Sequence, residues 1–253
     1  MKALVTGAAH GLGRALTEQL LEGGHDVVAL DRDIDSLEKL AVSSRGACRA
    51  YLVDMANSES IARFFDRTHE MTFDLVILNA GISATGSFED IPSGAYERLI
   101  AVNATAPIRM AAQLVGAAHM NPKSRIVFIS SLSHAVGYPG ASVYAATKDA
   151  IAVYAKSVRK PFKKRGVRVL TVFPGPIRTD HAERYAPPGS KASKRMDPDK
   201  LAKMILKAAK GKAWELWPGT AAQLAKMAAS MAPNLTLSAM KRAIYDKLDR
   251  PTY

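Results

Sequence analysis

Thr6-Gly7-Ala8-Ala9-His10-Gly11-Leu12-Gly13 closes a short apolar run, Ala3–Thr6, and leads straight into a helical pattern, Gly13–Leu21. Glycines in such a turn permit positive φ and let a ligand approach the bare backbone. The helix that follows offers free N–H groups and a positive dipole end to a pyrophosphate. The spacing is Gly-x3-Gly-x-Gly, distinct from the Gly-x-Gly-x2-Gly dinucleotide fingerprint. It also lacks the Gly-Lys-Ser/Thr ending of a P-loop, which argues against nucleotide hydrolysis.

Further along, short runs rich in Val, Leu and Ile alternate with amphipathic stretches. Asp26–Leu30, Arg49–Val53, Leu75–Leu78, Ile126–Ser130 and Arg168–Phe173 read as buried strands. Ile34–Val42, Ser58–Glu70, Ser93–Met120 and Val143–Arg165 read as helices. Alternation of this kind predicts a doubly wound α/β fold, a parallel sheet with helices on both faces and ligands at the carboxyl ends of the strands. One domain over residues 1–253 is expected, without repeats or linkers. The stretch 174–198, with Pro174, Pro176, Pro187 and Pro188, interrupts the pattern and reads as a lid loop. Asp199–Ala209 returns to helix, Ala213–Trp217 is a candidate last strand, and a helical tail occupies about 218–253.

Composition bounds the function. The 253 residues are 48% hydrophobic and 23% charged, which excludes disordered, collagenous and disulfide-stapled classes. A lone Cys48 forms no internal disulfide. The start of the chain leaves no room for a secretory h-region, and the uncharged stretch Ile126–Thr147 is interrupted by Ser130, Ser131, Ser133, His134 and Pro139, so a soluble, cytoplasmic protein is expected. The net charge of +12 is uneven: residues 1–130 carry 12 Lys/Arg and 15 Asp/Glu, residues 131–253 carry 23 and 8. That asymmetry reads either as a solvated basic face or as a surface for an anionic partner. No nucleic-acid motif accompanies it, and His134, His181 and Cys48 show no metal-ligand spacing.

Asp31, 18 residues after Gly13, ends the second strand, where a carboxylate binds ribose hydroxyls and opposes a 2′-phosphate. It favours NAD; Arg32 and His10 are basic neighbours that leave NADP open. From these segments onward the chain resembles the short-chain dehydrogenase/reductase family, to about residue 217. The motifs are Thr6-Gly7-x3-Gly11-x-Gly13, Asp54-Met55, Asn79-Ala80-Gly81, Asn103, Ser131, Tyr144-x3-Lys148 and Pro174-Gly175-Pro176-Ile177-Arg178-Thr179. Leu78 stands where the family commonly has another Asn.

The resemblance implies a Rossmann-type fold and an NAD(P)-dependent enzyme that interconverts a secondary alcohol and a ketone. It implies cofactor contacts from Thr6, Gly7, His10, Gly11, Leu12, Gly13, Asp31, Asp54, Met55, Asn79, Ala80, Gly81, Pro174, Ile177 and Thr179. It further implies Asn103, Ser131, Tyr144 and Lys148 as the catalytic set, with Tyr144 as general acid/base, Ser131 on the substrate oxygen, Lys148 on the nicotinamide ribose and Asn103 holding a water. A homo-oligomer is expected. Tyr144 and Lys148 are four apart on a helix and share a face, so the ammonium, together with the positively charged oxidised nicotinamide, is expected to draw the phenol below its ordinary pKa of about 10.

The alternative is a cofactor-binding regulatory or scaffold protein of the same fold, since fold alone does not define function. Ser83, Ala84, His134, Val136, Tyr138, His181 and Tyr185 are candidate pocket residues and suit an uncharged or lipophilic carbonyl. In the tail, Leu237, Met240, Ile244 and Leu248 form an apolar stripe, read as self-packing, a subunit contact, a pocket cover or a membrane-surface contact.

Overall fold

Seven strands form one all-parallel sheet in the order β3-β2-β1-β4-β5-β6-β7, in a computed structural model that describes residues 1–248 and 251–253. Asp249 and Arg250 of the tail lie outside the described residues. The first half runs β1 (Lys2–Thr6), α1 (Gly11–Glu22), β2 (Asp26–Asp31), α2 (Ile34–Ser43), β3 (Cys48–Leu52), α3 (Ser58–Arg67) and β4 (Phe73–Leu78). The second half continues with α4 (Ser93–Ile100), α5 (Ala106–Gly116), β5 (Met120–Ile129), α6 (Ser133–Val136), α7 (Ser142–Lys164) and β6 (Arg168–Val172). Then come α8 (Asp180–Arg184), α9 (Pro198–Lys210), β7 (Glu215–Leu216), α10 (Thr220–Met231) and α11 (Pro233–Ala243).

Strand residues alternate between the two faces of the sheet, and each set finds its own apolar layer. Leu4, Val28, Val76, Ile126 and Phe128 pack with Phe64, Met110, Leu114 and Ile151 on one side. Val5, Val27, Ile77, Val127 and Leu170 pack with Leu16, Leu20, Leu201 and Ile205 on the other. Strand order reverses at β1, whose neighbours are β2 and β4, and the crevice at their carboxyl ends is where a doubly wound sheet binds ligands.

One predicted helix is corrected and two predicted segments gain detail. Ser93–Met120 is not one regular helix: a π-helical turn, Ala101–Thr105, joins α4 to α5, and the chain is already in β5 at Met120. Pro107, four residues beyond Asn103, has no N–H to give the Asn103 carbonyl, so regular α-helical bonding fails at that point. The combined helix Ser93–Gly116 is long and apolar enough to cross a membrane by composition, but half of that stretch is buried in the protein, with Leu99, Val102, Met110 and Leu114 in the core. The expected lid loop 174–198 holds α8 and a 3-10 turn, Ala192–Lys194, and its two ends meet where Ile177 bridges Met196. The tail stripe Leu237, Met240, Ile244 and Leu248 spans α11 and the turn beyond it. Leu237 lies against Gly137 and Leu248 against Gly140, so self-packing accounts for these two residues.

Candidate active site

The glycine turn is shaped by contacts that a side chain would destroy. Gly7 and Gly11 have φ of 66° and 52°. A Cβ at Gly13 would stand 1.9 Å from the Gly7 carbonyl oxygen and 2.6 Å from Asn79 Nδ2. Thr6 Oγ1 accepts hydrogen bonds from the Asn79 and Ala80 N–H groups, both at 3.0 Å, and Asn79 Nδ2 donates to the Thr6 and Gly7 carbonyls at 3.0 and 3.2 Å. The turns after β1 and β4 therefore form one cradle. His10 occupies the N-cap of α1 in extended conformation with no side-chain cap bond, which leaves the first N–H groups of the helix to a ligand.

Two residues expected at the cofactor contribute little side chain. Leu12 and Met55 are 6% and 8% exposed, and their side chains pack in the core layers. Asp54 caps its own turn by accepting from Ala56 N–H and lies 3.4 Å from Arg98.

Asp31 is more committed to the fold than its position in the sequence suggests. Its carboxylate accepts from the N–H groups of Ala9 at 3.0 Å, Arg32 at 2.7 Å and Asp33 at 3.1 Å. Of roughly four acceptor sites on a carboxylate, that leaves one for a ribose hydroxyl rather than the expected pair. Beside it, His10 Nε2 meets Asp33 Oδ2 at 2.7 Å. Asp33 also caps α2, and hydrogen bonds from Ser36 and His10 hold its carboxyl down at about 2.

The second cluster lies at the ends of β5 and α7. Lys148 is 4% exposed and donates from Nζ to the Ile129 carbonyl at 3.0 Å, while Ser130 Oγ donates to the Lys148 carbonyl at 2.8 Å. Among the described residues no carboxylate pairs with this ammonium, and burial lowers its pKa to about 8. Its Nζ lies 5.8 Å from the centre of the Tyr144 ring. A Cβ at Gly81 would approach that Nζ to 3.1 Å and Asn103 Oδ1 to 3.5 Å, so the bare backbone of Gly81 makes room for both.

In the protein alone, Tyr144 is shifted upward. Burial pushes the phenol up to about 12; the Ser131 hydroxyl pulls the other way, and Tyr138, edge-on at 6.2 Å, adds to the rise. Desolvation of the phenolate outweighs an ammonium that is itself buried and partly spent on a carbonyl.

Asn103 is bound closely into the fold. Its side chain bonds both backbone groups of Ile82, at 2.9 Å each, and donates to Thr147 Oγ1 at 3.1 Å. Both Nδ2 hydrogens are thereby used, while Oδ1 keeps one of its two acceptor positions, and Pro107 cannot give the Asn103 main-chain carbonyl its α-helical donor. Thr147, which links Asn103 to the Tyr144 carbonyl through a 2.7 Å bond, escaped sequence reading. Its place inside Tyr144-Ala145-Ala146-Thr147-Lys148 was the available signal.

The 174–179 segment comes down on the glycine turn, where Thr179 Cγ2 would lie 2.9 Å from a Cβ at Gly11. Thr179 Oγ1 caps α8 by accepting from Ala182 N–H, the Pro174 carbonyl accepts from Leu132 N–H at 2.8 Å, and Ile177 is held by its bridge to Met196. The segment is thus tied at both ends.

Around Tyr144, Ser83, Ala84 and Val136 are buried walls. His181 and Tyr185 stand 4.9 Å apart on and beyond α8. Desolvation, then the charges of Lys148 and Arg184, lower His181 to about 4, so it is neutral at ordinary pH. His134 leaves the candidate pocket: it pairs with Asp149 and stacks at 5.1 Å on Phe173, which stacks on Trp217. The tail takes its place on the rim. Thr252 and Thr85 form an antiparallel bridge with bonds of 2.7 and 2.8 Å, Tyr245 OH meets Ser87 Oγ at 2.8 Å, and Leu248 covers Gly140. Among the described residues, no cluster of His, Cys, Asp and Glu could hold a metal ion.

A doubly wound parallel sheet, a glycine cradle at its switch point and a Ser-Tyr-Lys group beyond β5 define a dinucleotide-dependent oxidoreductase architecture. The family described as short chain dehydrogenase matches residues 1–188, and the chain belongs to that family. The NADPH-dependent 1-acyldihydroxyacetone phosphate reductase of Saccharomyces cerevisiae is 33% identical over 72% of this chain and 63% of its own length. The match thus spans somewhat under two thirds of the yeast enzyme. The oxidoreductase UcpA of Escherichia coli K12 is 30% identical over 81% of this chain and 79% of its own. A solved short-chain dehydrogenase from Sphingobium yanoikuyae, in complex with NADPH, superposes with a TM-score of 0.78 at 27% identity, covering 91% of this chain and 93% of that one.

Proposed function

We propose that the chain is a nicotinamide-dependent oxidoreductase that interconverts a secondary alcohol and a ketone, with Tyr144 as the proton donor and acceptor. The observation that carries this reading is the buried Lys148, without a carboxylate partner among the described residues, beside the Tyr144–Ser131 pair at the open end of β5. A structural lysine is rarely left so, whereas a site for proton transfer uses such perturbed groups.

The cradle fits a nicotinamide dinucleotide: positive-φ glycines, a Gly13 position closed to any side chain and an uncapped helix N-terminus suit a pyrophosphate. Gly7, His10, Gly11, Gly13, Asn79, Ala80 and Gly81 would line it, with Asp31 at the ribose end and Pro174, Ile177 and Thr179 closing over it. When bound, the cofactor supplies the hydride acceptor or donor. The protein's part is the proton. Ser131 orients the substrate oxygen toward the Tyr144 phenol, which remains protonated at neutral pH and gives its proton as a ketone is reduced. In the reverse direction the phenolate takes the alcohol proton, helped by the positive charge of Lys148. Thr147 and Asn103 hold the backbone around this pair, and the Asn103 carbonyl is an acceptor available to a water leading from Lys148.

Asp31 supports a preference for NAD, since its negative charge opposes a 2′-phosphate. Exposed Arg32 and the NADPH dependence of the yeast relative pull the other way. Fluorescence titration with NADH and NADPH decides between them; tighter NADPH binding overturns the preference. The substrate is read as an uncharged, lipophilic carbonyl or alcohol, from Ala84, Val136, Tyr138 and the covering Leu248. A panel of ketones and secondary alcohols, followed by the absorbance of the reduced nicotinamide, tests the reaction. Tight cofactor binding without turnover on any panel member would favour a non-catalytic regulator.

A further inference from the structure

Helix α10 carries an apolar face that nothing among the described residues covers. Its inner side, Ala222 and Ala229, is buried, whereas Leu224, Met227 and Met231, at spacings of three and four, are 63%, 58% and 82% exposed. Leu235 at the start of α11 extends the stripe at 75% exposure. An isolated exposed leucine is ordinary, but three large apolar residues on one face of α10, with Leu235 exposed just past the break at Ala232, mark an interaction surface. Beyond it, Leu237 is 46% exposed with one methyl against Gly137, and Leu248 packs on Gly140.

The charges around the stripe say what covers it. From Leu216 to Tyr245 there is no Asp or Glu, while Lys226, Lys241 and Arg242 lie within that span. Lys226 leans over Trp217 and approaches Glu215 at 3.5 Å, and Lys241 pairs with Asp246; Arg242 has no such partner among the described residues. The lid adds exposed Lys191 and Lys194, and its Met196 touches the chain at Gly219, where α10 begins. An apolar stripe with a basic surround matches an anionic lipid surface, where exposed leucines and methionines enter the interface and lysines meet the headgroups. A second copy of the chain fits less well. A two-fold contact through this face would bring the same basic surround against itself, in a chain of net charge +12.

We propose that α10 and the start of α11 dock this protein on an anionic lipid bilayer. The geometry has a consequence for access. Helix α10 packs against α6, and α11 leads to Tyr245, Leu248 and Thr252 on the rim of the Tyr144 cleft, so a docked protein presents that rim near the lipid.

Sedimentation of the full chain with vesicles tests this independently of turnover. Vesicles of phosphatidylcholine with phosphatidylglycerol are expected to carry the protein down at low salt, with partitioning at least about tenfold above phosphatidylcholine alone and weakened by salt. Met231→Glu with Leu235→Glu, both on exposed positions, is expected to abolish pelleting while leaving the thermal midpoint unchanged. Lys191→Gln with Lys194→Gln is expected to weaken it with the stripe intact. Absence of pelleting at low salt, or undiminished pelleting of the double glutamate variant, would overturn the assignment. So would light scattering that shows a dimer dissociated by Met231→Glu, which would give the face to a second copy.

Discussion

Asn103 grips Ile82 by both of its backbone groups: Nδ2 donates to the Ile82 carbonyl and Oδ1 accepts from the Ile82 N–H, each at 2.9 Å. This pair of hydrogen bonds joins the π turn between α4 and α5 to the loop that leaves β4 beside the cleft. Asn103 is 1% exposed, so water cannot replace it there.

Asn103→Ala is therefore expected to destabilise the fold by about 2–4 kcal/mol, since two buried backbone groups and Thr147 Oγ1 lose a partner. Asn103→Asp keeps the acceptor and loses the donor, and should fall between. Urea denaturation of the three proteins checks the order; an Ala variant as stable as the parent would show that the clamp contributes nothing.

Gly13 faces the Gly7 carbonyl at a distance no Cβ tolerates. Gly13→Ala is expected to cost about 1–3 kcal/mol of stability through overpacking and to weaken nicotinamide binding by pushing apart the cradle shared with Asn79. Gly24, also at positive φ but with open space around it, is the control: Gly24→Ala should lower stability slightly and leave binding unchanged. Thermal melts and cofactor titrations of both variants make the comparison.

His181 refuses a proton until about pH 4, whereas its ordinary value is 6.5. Between those values the unfolded chain binds more protons than the folded one, so stability falls as pH drops through that window. His181→Asn should reduce the loss of thermal midpoint between about pH 7 and about pH 5 relative to the parent. Equal losses in both proteins would mean that His181 is not held in its neutral form.

Much of this was legible in the residues, for physical reasons. Buried parallel strands require continuous Val/Leu/Ile runs, so β1, β2, β4, β5 and β6 stand out, as does the glycine turn that only small residues can make. Ser131, Tyr144 and Lys148 were named through the family resemblance; only the four-residue spacing that puts Tyr144 and Lys148 on one helix face follows from local geometry. Other features were hidden because they depend on burial or distant partners. Periodicity runs smoothly through Ser93–Gly116 and hides the π turn, although Pro107 placed four after Asn103 was a clue. Nothing local told that the Asp31 carboxylate would be spent on three backbone N–H groups, or that His134 would join Phe173 and Trp217. The rise of Tyr144 came from desolvation, which no spacing reveals. The tail's pairing of Thr252 with Thr85 spans almost the whole distance from β4 to the carboxyl end, beyond the reach of any local pattern.

The central claim, that Tyr144 transfers the proton, is tested most directly by Tyr144→Phe. The measurement is steady-state turnover with a ketone or alcohol identified from the panel, alongside cofactor titration of the same preparation. The account predicts a loss of about 10²–10⁴ in turnover with cofactor affinity nearly unchanged, since only the hydroxyl is removed. Wild-type turnover in the Phe variant would contradict it.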